Sequence, residues 1–175
     1  MNKRGLLILI AFVAFMGYVI YLFNSMGSQP DHAQHEGKHE AINWPLSWQG
    51  MKQDFVLGWE QALKEINQLH GKSVGVHEGY KAQYSKDGES VIFWVAVVAN
   101  ESDARKLAAD MTAKIGNANQ VFSTPREMKV GDFTVYETKG IGLENYYYYK
   151  GSAVYWVGIN SPRQAKLVPK ILTDF

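Results

Sequence analysis

The chain has 175 residues, 18 Lys and Arg against 17 Asp and Glu, a formal net charge of +1, and no cysteine. Neither sign of charge gathers into a block, so nothing in the sequence marks a nucleic-acid partner. Without thiols there are no disulfides, thiolate metal sites or cysteine nucleophiles, although a domain of about 130 residues needs no bridges in either redox compartment.

The first element is the run from Gly5 to Phe23, GLLILIAFVAFMGYVIYLF, which holds no charged side chain. About nineteen residues at ~1.5 Å each make a helix of roughly 28 Å, close to the ~30 Å hydrocarbon core of a bilayer. A lone run spans lipid only as a helix, because its backbone must satisfy its own hydrogen bonds. Lys3 and Arg4 precede it and the next basic residue is Lys38, which orients residues 1–4 to the cytoplasm and the rest of the chain outside. A cleaved secretory signal is the competing reading. Its apolar region is shorter, and Ser25 and Gly27 make a poor cleavage site, whereas Tyr18, Tyr21 and Phe23 suit the interface of an uncleaved signal-anchor.

Residues 24–43 turn polar and read as a tether, with a root-mean-square span of roughly 25 Å. It carries His32, His35 and His39, which share one face with Glu36 if the segment is helical. Imidazole suits a divalent transition metal such as zinc, copper or nickel, so these three are the metal candidates. The plainer reading is a solvated linker, since an unstructured site loses affinity to the entropy of ordering it. No other cofactor is indicated.

Residues 44–175 predict one extracytoplasmic α+β domain. Trp44 and Trp48 open it, either at the membrane interface or buried in the core. Phe55, Trp59, Leu63 and Ile66 recur at helical spacing, predicting an amphipathic helix over 52–69 with His70 in its last turn and Gly71 as its C-cap. Strands over 74–84 and 90–99 follow, joined at Asp87-Gly88, a strong hairpin signal. The nearly unbroken apolar run Val91–Val98 places the second strand mid-sheet with both faces covered. Asn100 then caps a helix whose stripe is Ala104, Leu107, Ala108, Met111 and Ile115, ended by Gly116.

Short strands are predicted near 121–123, 127–130 and 133–138, then a flexible loop around Gly140 and Gly142. A hairpin of 145–149 with 153–159 comes next. A C-terminal helix starts with Ser161 as cap and Pro162 in its first turn, and Pro169 implies a kink or a late start. Together these give an antiparallel sheet of about five to seven strands with helices packed on one face.

The chemical motifs fail in their context. Gly71-Lys72-Ser73-Val74-Gly75 matches a nucleophile elbow, but a predicted helix precedes the serine and a strand follows it, reversing the required order. Ile66 stands where a P-loop needs its first glycine, and Gly140-Ile141-Gly142 lacks the third glycine and the helix of a dinucleotide fingerprint. Asn100-Glu101-Ser102 fits a glycosylation sequon but is explained by helix capping.

Tyr146, Tyr148 and Tyr155, with Tyr136, could form an aromatic surface for a ligand or partner, against ordinary cross-strand packing. The sequence thus favours a single-pass membrane protein whose outer domain has a non-catalytic accessory, assembly or sensing role through a protein partner. The rivals are a metal- or small-ligand-binding module using the His linker or the tyrosine-rich hairpin, and an enzyme with an unrecognised site.

Overall fold

A computed structural model describes residues 42–58, 62, 75–118 and 121–175. The predicted span at 5–23, the histidine-bearing tether, residues 59–61 and 63–69 of the first predicted helix, His70 and all of the Gly71–Gly75 motif but Gly75 lie outside them. Among the described residues no helix is long and apolar enough to cross a membrane.

The strands are β1 (Ser47–Trp48), β2 (Met51–Leu57), β3 (Glu78–Lys86), β4 (Glu89–Val97), β5 (Arg126–Val130), β6 (Phe133–Gly140), β7 (Leu143–Lys150) and β8 (Ala153–Asn160). The helices are α1 (Glu101–Ala118), between β4 and β5, and α2 (Gln164–Asp174), after β8. All eight strands join one antiparallel sheet in the order β1-β2-β3-β4-β8-β7-β6-β5. It is therefore two meanders joined where β4 meets β8. As its apolar run predicts, β4 sits mid-sheet. Asp87 and Gly88 both take left-handed φ, 51° and 83°, so β3 returns as β4 through a two-residue turn whose twist suits the strands.

Residues 52–57, read from the sequence as the start of a helix, belong to strand β2. A hairpin turn at Gln49 and Gly50, both at positive φ, joins β1 to β2, β2 pairs on its other side with β3, and Gln53 Nε2 donates to the carbonyls of Trp44 and Pro45. Pairing with a neighbouring strand here outweighs the local helical spacing.

Helix α1 buries the predicted stripe of Ala104, Leu107, Ala108, Met111 and Ile115. Asn100 Oδ1 accepts the Asp103 N–H at 3.0 Å, satisfying one of the free donors of the first turn. The helix runs through Gly116 to Ala118, because one glycine weakens a helix by only about 1 kcal/mol. At the other helix, Ser161 is not the cap. Its hydroxyl accepts the Arg163 N–H and donates to Glu89, and α2 starts late, at Gln164, with Pro169 inside it. The Ser161 hydroxyl and the Arg163 guanidinium hold the Glu89 carboxyl below the usual carboxylate range.

The two helices cover opposite faces of the sheet, which corrects the one-face expectation. Leu167, Val168, Ile171 and Leu172 of α2 join a core with Tyr84, Phe93, Tyr148 and Tyr155, whereas α1 meets the reverse face, where Tyr147 Oη donates to Thr112. The cause is the pleat: consecutive residues of β7 and β8 point to opposite sides, and both sides are apolar. Phe93 centres the α2-side core, with the rings of Trp44, Trp48, Tyr84 and Phe175 at 4.8 to 6.1 Å. Trp48 is buried and donates Nε1–H to Asp174 at 2.9 Å, which holds that carboxyl below its ordinary range. Trp44 and Trp48 therefore belong to the core.

Candidate functional site

The tyrosine run does not form the surface its composition suggested. Tyr146, Tyr148 and Tyr155 are buried on the α2 side, and Tyr136 points to the other face, stacked on Tyr147 at 5.1 Å. Alternation along β7 divides the run, and the apolar stripe of α2 covers the half that holds Tyr146 and Tyr148. Tyr148 and Tyr155 stack with parallel rings at 4.8 Å, and Tyr155 Oη donates to the Phe175 carbonyl. Burial pushes the phenols of Tyr147 and Tyr155 up to about 12 and that of Tyr148 well above its ordinary value.

Tyr148 Oη has no hydrogen-bond partner, although the residue is only 1% exposed. A buried unpaired hydroxyl costs roughly 1–3 kcal/mol, so Tyr148→Phe is expected to stabilise the fold by about 1 kcal/mol. Thermal unfolding checks this; a lower melting temperature would mean the hydroxyl has a partner.

On the α1 side, directly opposed residues form one row across the sheet: Tyr136 on β6, Tyr147 on β7, Trp156 on β8, Trp94 on β4 and Lys81 on β3. Tyr147 and Trp156 stack at 5.3 Å, and Phe122 meets Trp156 edge-on at the same distance. Trp156 Nε1 donates to Asn145 Oδ1, and Asn145 Nδ2 donates to the carbonyls of Gly140 and Leu143, each at 3.1 Å. One buried amide thereby ties the aromatic row to the β6–β7 turn.

That turn is tight rather than flexible. Ile141 and Gly142 are its two central residues, both left-handed, with φ of 56° and 75°. Glycine at 140 serves close approach: a Cβ there would lie 2.7 Å from the Val121 carbonyl oxygen and against the Phe122 ring. The unusual member is Ile141, a β-branched residue in a region that favours Gly, Asn and Asp, with its side chain 46% exposed.

Beside the turn, an open groove of about 440 Å³ runs to the start of α2, lined among others by Lys139, Leu143, Glu144, Ser161 and Gln164. Glu144 Oε1 accepts from Lys139 Nζ at 2.8 Å. Glu144 Oε2 and Gln164 Oε1 are shielded from solvent and have no partner. Both acceptors without donors thus belong to residues that line one groove. Neither residue stood out in the sequence, since Glu144 lies on β7 and Gln164 opens α2, and only the fold places both beside one groove.

Among the described residues no three His, Asp or Glu side chains gather to hold a metal. The metal candidates His32, His35 and His39 lie outside those residues.

The described residues define an α+β domain on a single eight-stranded antiparallel sheet. No family model and no curated protein matches the chain. Among solved structures, the crystal structure of the extracellular domain of PknH from Mycobacterium tuberculosis is similar, with a TM-score of 0.44 and 12% identity over 71% of this chain and 83% of that one. So distant a likeness carries no inference about activity.

Proposed function

We propose that this chain is a membrane-anchored domain held outside the cytoplasm, which works by contacting another protein at the β6–β7 turn and the groove beside it. The anchor and its orientation rest on the uncharged run Gly5–Phe23 and on Lys3 and Arg4 before it. The contact role rests on Ile141. A left-handed conformation disfavours a residue with a Cβ by roughly 1–2 kcal/mol, and an exposed isoleucine recovers little of that by burial. Asparagine or glycine would turn the chain at less cost. A residue that weakens its own fold while presenting apolar surface fits a binding tip.

Two results test this reading. Ile141→Asn is expected to raise stability by about 1 kcal/mol, seen as a higher melting temperature. A photo-crosslinking residue at position 141 of the full chain in its own membranes is expected to trap one discrete partner. The same residue at Asp132, in the exposed β5–β6 turn, should trap none. Equal labelling from both positions, or none from either, would remove the basis for a contact at this turn.

A further inference from the structure

We infer that the outer edge of β5 pairs antiparallel with β5 of a second copy of this chain, joining two sheets across a two-fold axis at Met128. This contact is separate from the one proposed at the β6–β7 turn.

Among the described residues β5 ends the strand order, with β6 on one side and no strand on the other. Gly131 and Asp132 form a two-residue turn, so Val130 and Phe133 are a hydrogen-bonded pair. By alternation so are Met128 with Val135 and Arg126 with Glu137. The backbone N–H and C=O groups of Glu127 and Lys129 therefore face away from β6, and both residues are exposed.

Charges on an edge strand normally keep it from pairing with another chain, and those of β5 leave one register open. With Met128 opposite Met128, Glu127 of each copy faces Lys129 of the other, and the outward backbone groups of both residues meet as hydrogen-bonded pairs. A slide by two residues sets Glu127 against Glu127 or Lys129 against Lys129, and like charges directly opposite are destabilising. A slide by one residue sets the outward groups against residues already bonded to β6.

Within its own fold, Glu127 accepts from the Tyr136 hydroxyl and Lys129 Nζ donates to Thr134 Oγ1 at 2.6 Å. Among the described residues neither belongs to an ion pair, so each charge is balanced only across the axis. On the other face Met128 meets its counterpart, and a flexible thioether fits itself to such a gap. Pro125, which has no N–H, and the turn at Gly131 limit the ladder to the length of β5.

The chain has no cysteine, so an introduced thiol reports one contact. Met128→Cys in the full chain, oxidised in its own membranes with copper phenanthroline, is expected to give a disulfide-linked dimer. Opposed residues in a pair of this type have Cα atoms about 4.5 Å apart, within the range a disulfide spans. Coexpressed Glu127→Cys and Lys129→Cys chains, altered only at exposed positions, should link to each other as well. Asp87→Cys, in the exposed β3–β4 turn, should stay monomeric. Added to Met128→Cys, either Glu127→Lys or Lys129→Glu is expected to cut the dimer severalfold, and the two together to restore it.

No dimer from Met128→Cys and none from the coexpressed pair would overturn the inference. So would an equal dimer from Asp87→Cys, a dimer indifferent to either single charge change, or no recovery in the doubly changed chain. The two contacts fail separately, because this one joins identical chains and the one at residue 141 traps a different protein. A product at Asp132 made of two copies of this chain belongs to the β5 pairing and leaves the contact at the β6–β7 turn untouched.

Discussion

Replacing Phe93 with alanine is expected to destabilise the domain by about 3–5 kcal/mol, as measured by urea denaturation. Phe93 is fully buried on the central strand β4. Its ring meets Phe175 at 4.8 Å, Trp44 at 5.4 Å and Tyr84 at 6.0 Å, so the truncation opens a cavity among rings anchored on separate elements. Trp48 is pinned to Asp174 by its indole N–H, and Tyr84 is held in β3, so neither can slide in to fill it. The transition midpoint should fall with the slope unchanged, the mark of lost stability rather than an altered unfolded state. A loss below about 1 kcal/mol would mean that the cluster repacks and is not the keystone of that face.

Asn145→Ala is expected to cost about 2–4 kcal/mol, for a different reason. The side chain is 2% exposed and uses both ends, Nδ2 on the carbonyls of Gly140 and Leu143 and Oδ1 under Trp156 Nε1. Alanine leaves the Trp156 indole N–H without its acceptor, at roughly 1–3 kcal/mol, and takes one donor from each of the two paired carbonyls that close the turn. The aliphatic part of Asn145 is small, so the polar loss outweighs the packing loss. The same denaturation measurement applies, with Asn145→Asp as companion, which keeps the acceptor for Trp156 and loses both donors. An alanine variant as stable as the parent would show that the amide does not tie the turn to the sheet.

How far the sequence could be read depended on whether the deciding contacts were local. The stripe and cap of α1 lie within a few residues of each other, as do Asp87 and Gly88, and all were recognisable. The strand β2 was not, because Phe55 stands at helical spacing from Trp59, and the choice between helix and strand lies with β3. Which helix takes which face hinges on the alternation of Tyr146 to Tyr149, and four identical residues carry no pattern from which to read it. The groove was invisible for a similar reason: Glu144 and Gln164 belong to separate elements. Ile141 gave a false lead in the other direction, since β-branched residues point to strands and not to left-handed turns.

The strand order also governs how this sheet assembles. The hairpins of β3 with β4, β5 with β6, β6 with β7 and β7 with β8 each close over a two-residue turn, so they form from neighbouring residues at little entropic cost. The seam between β4 and β8 is unlike them, since pairing Val97 with Ala153 closes a loop containing α1 and the whole of β5, β6 and β7. Folding speed falls as such distant contacts come to dominate, which makes the seam the slow step. Until it closes, β4 exposes one edge and β8 another, both bearing apolar side chains in extended conformation and both open to pairing with other chains. Losses in yield during synthesis or refolding should therefore concentrate at this single junction, which the finished molecule hides in its centre.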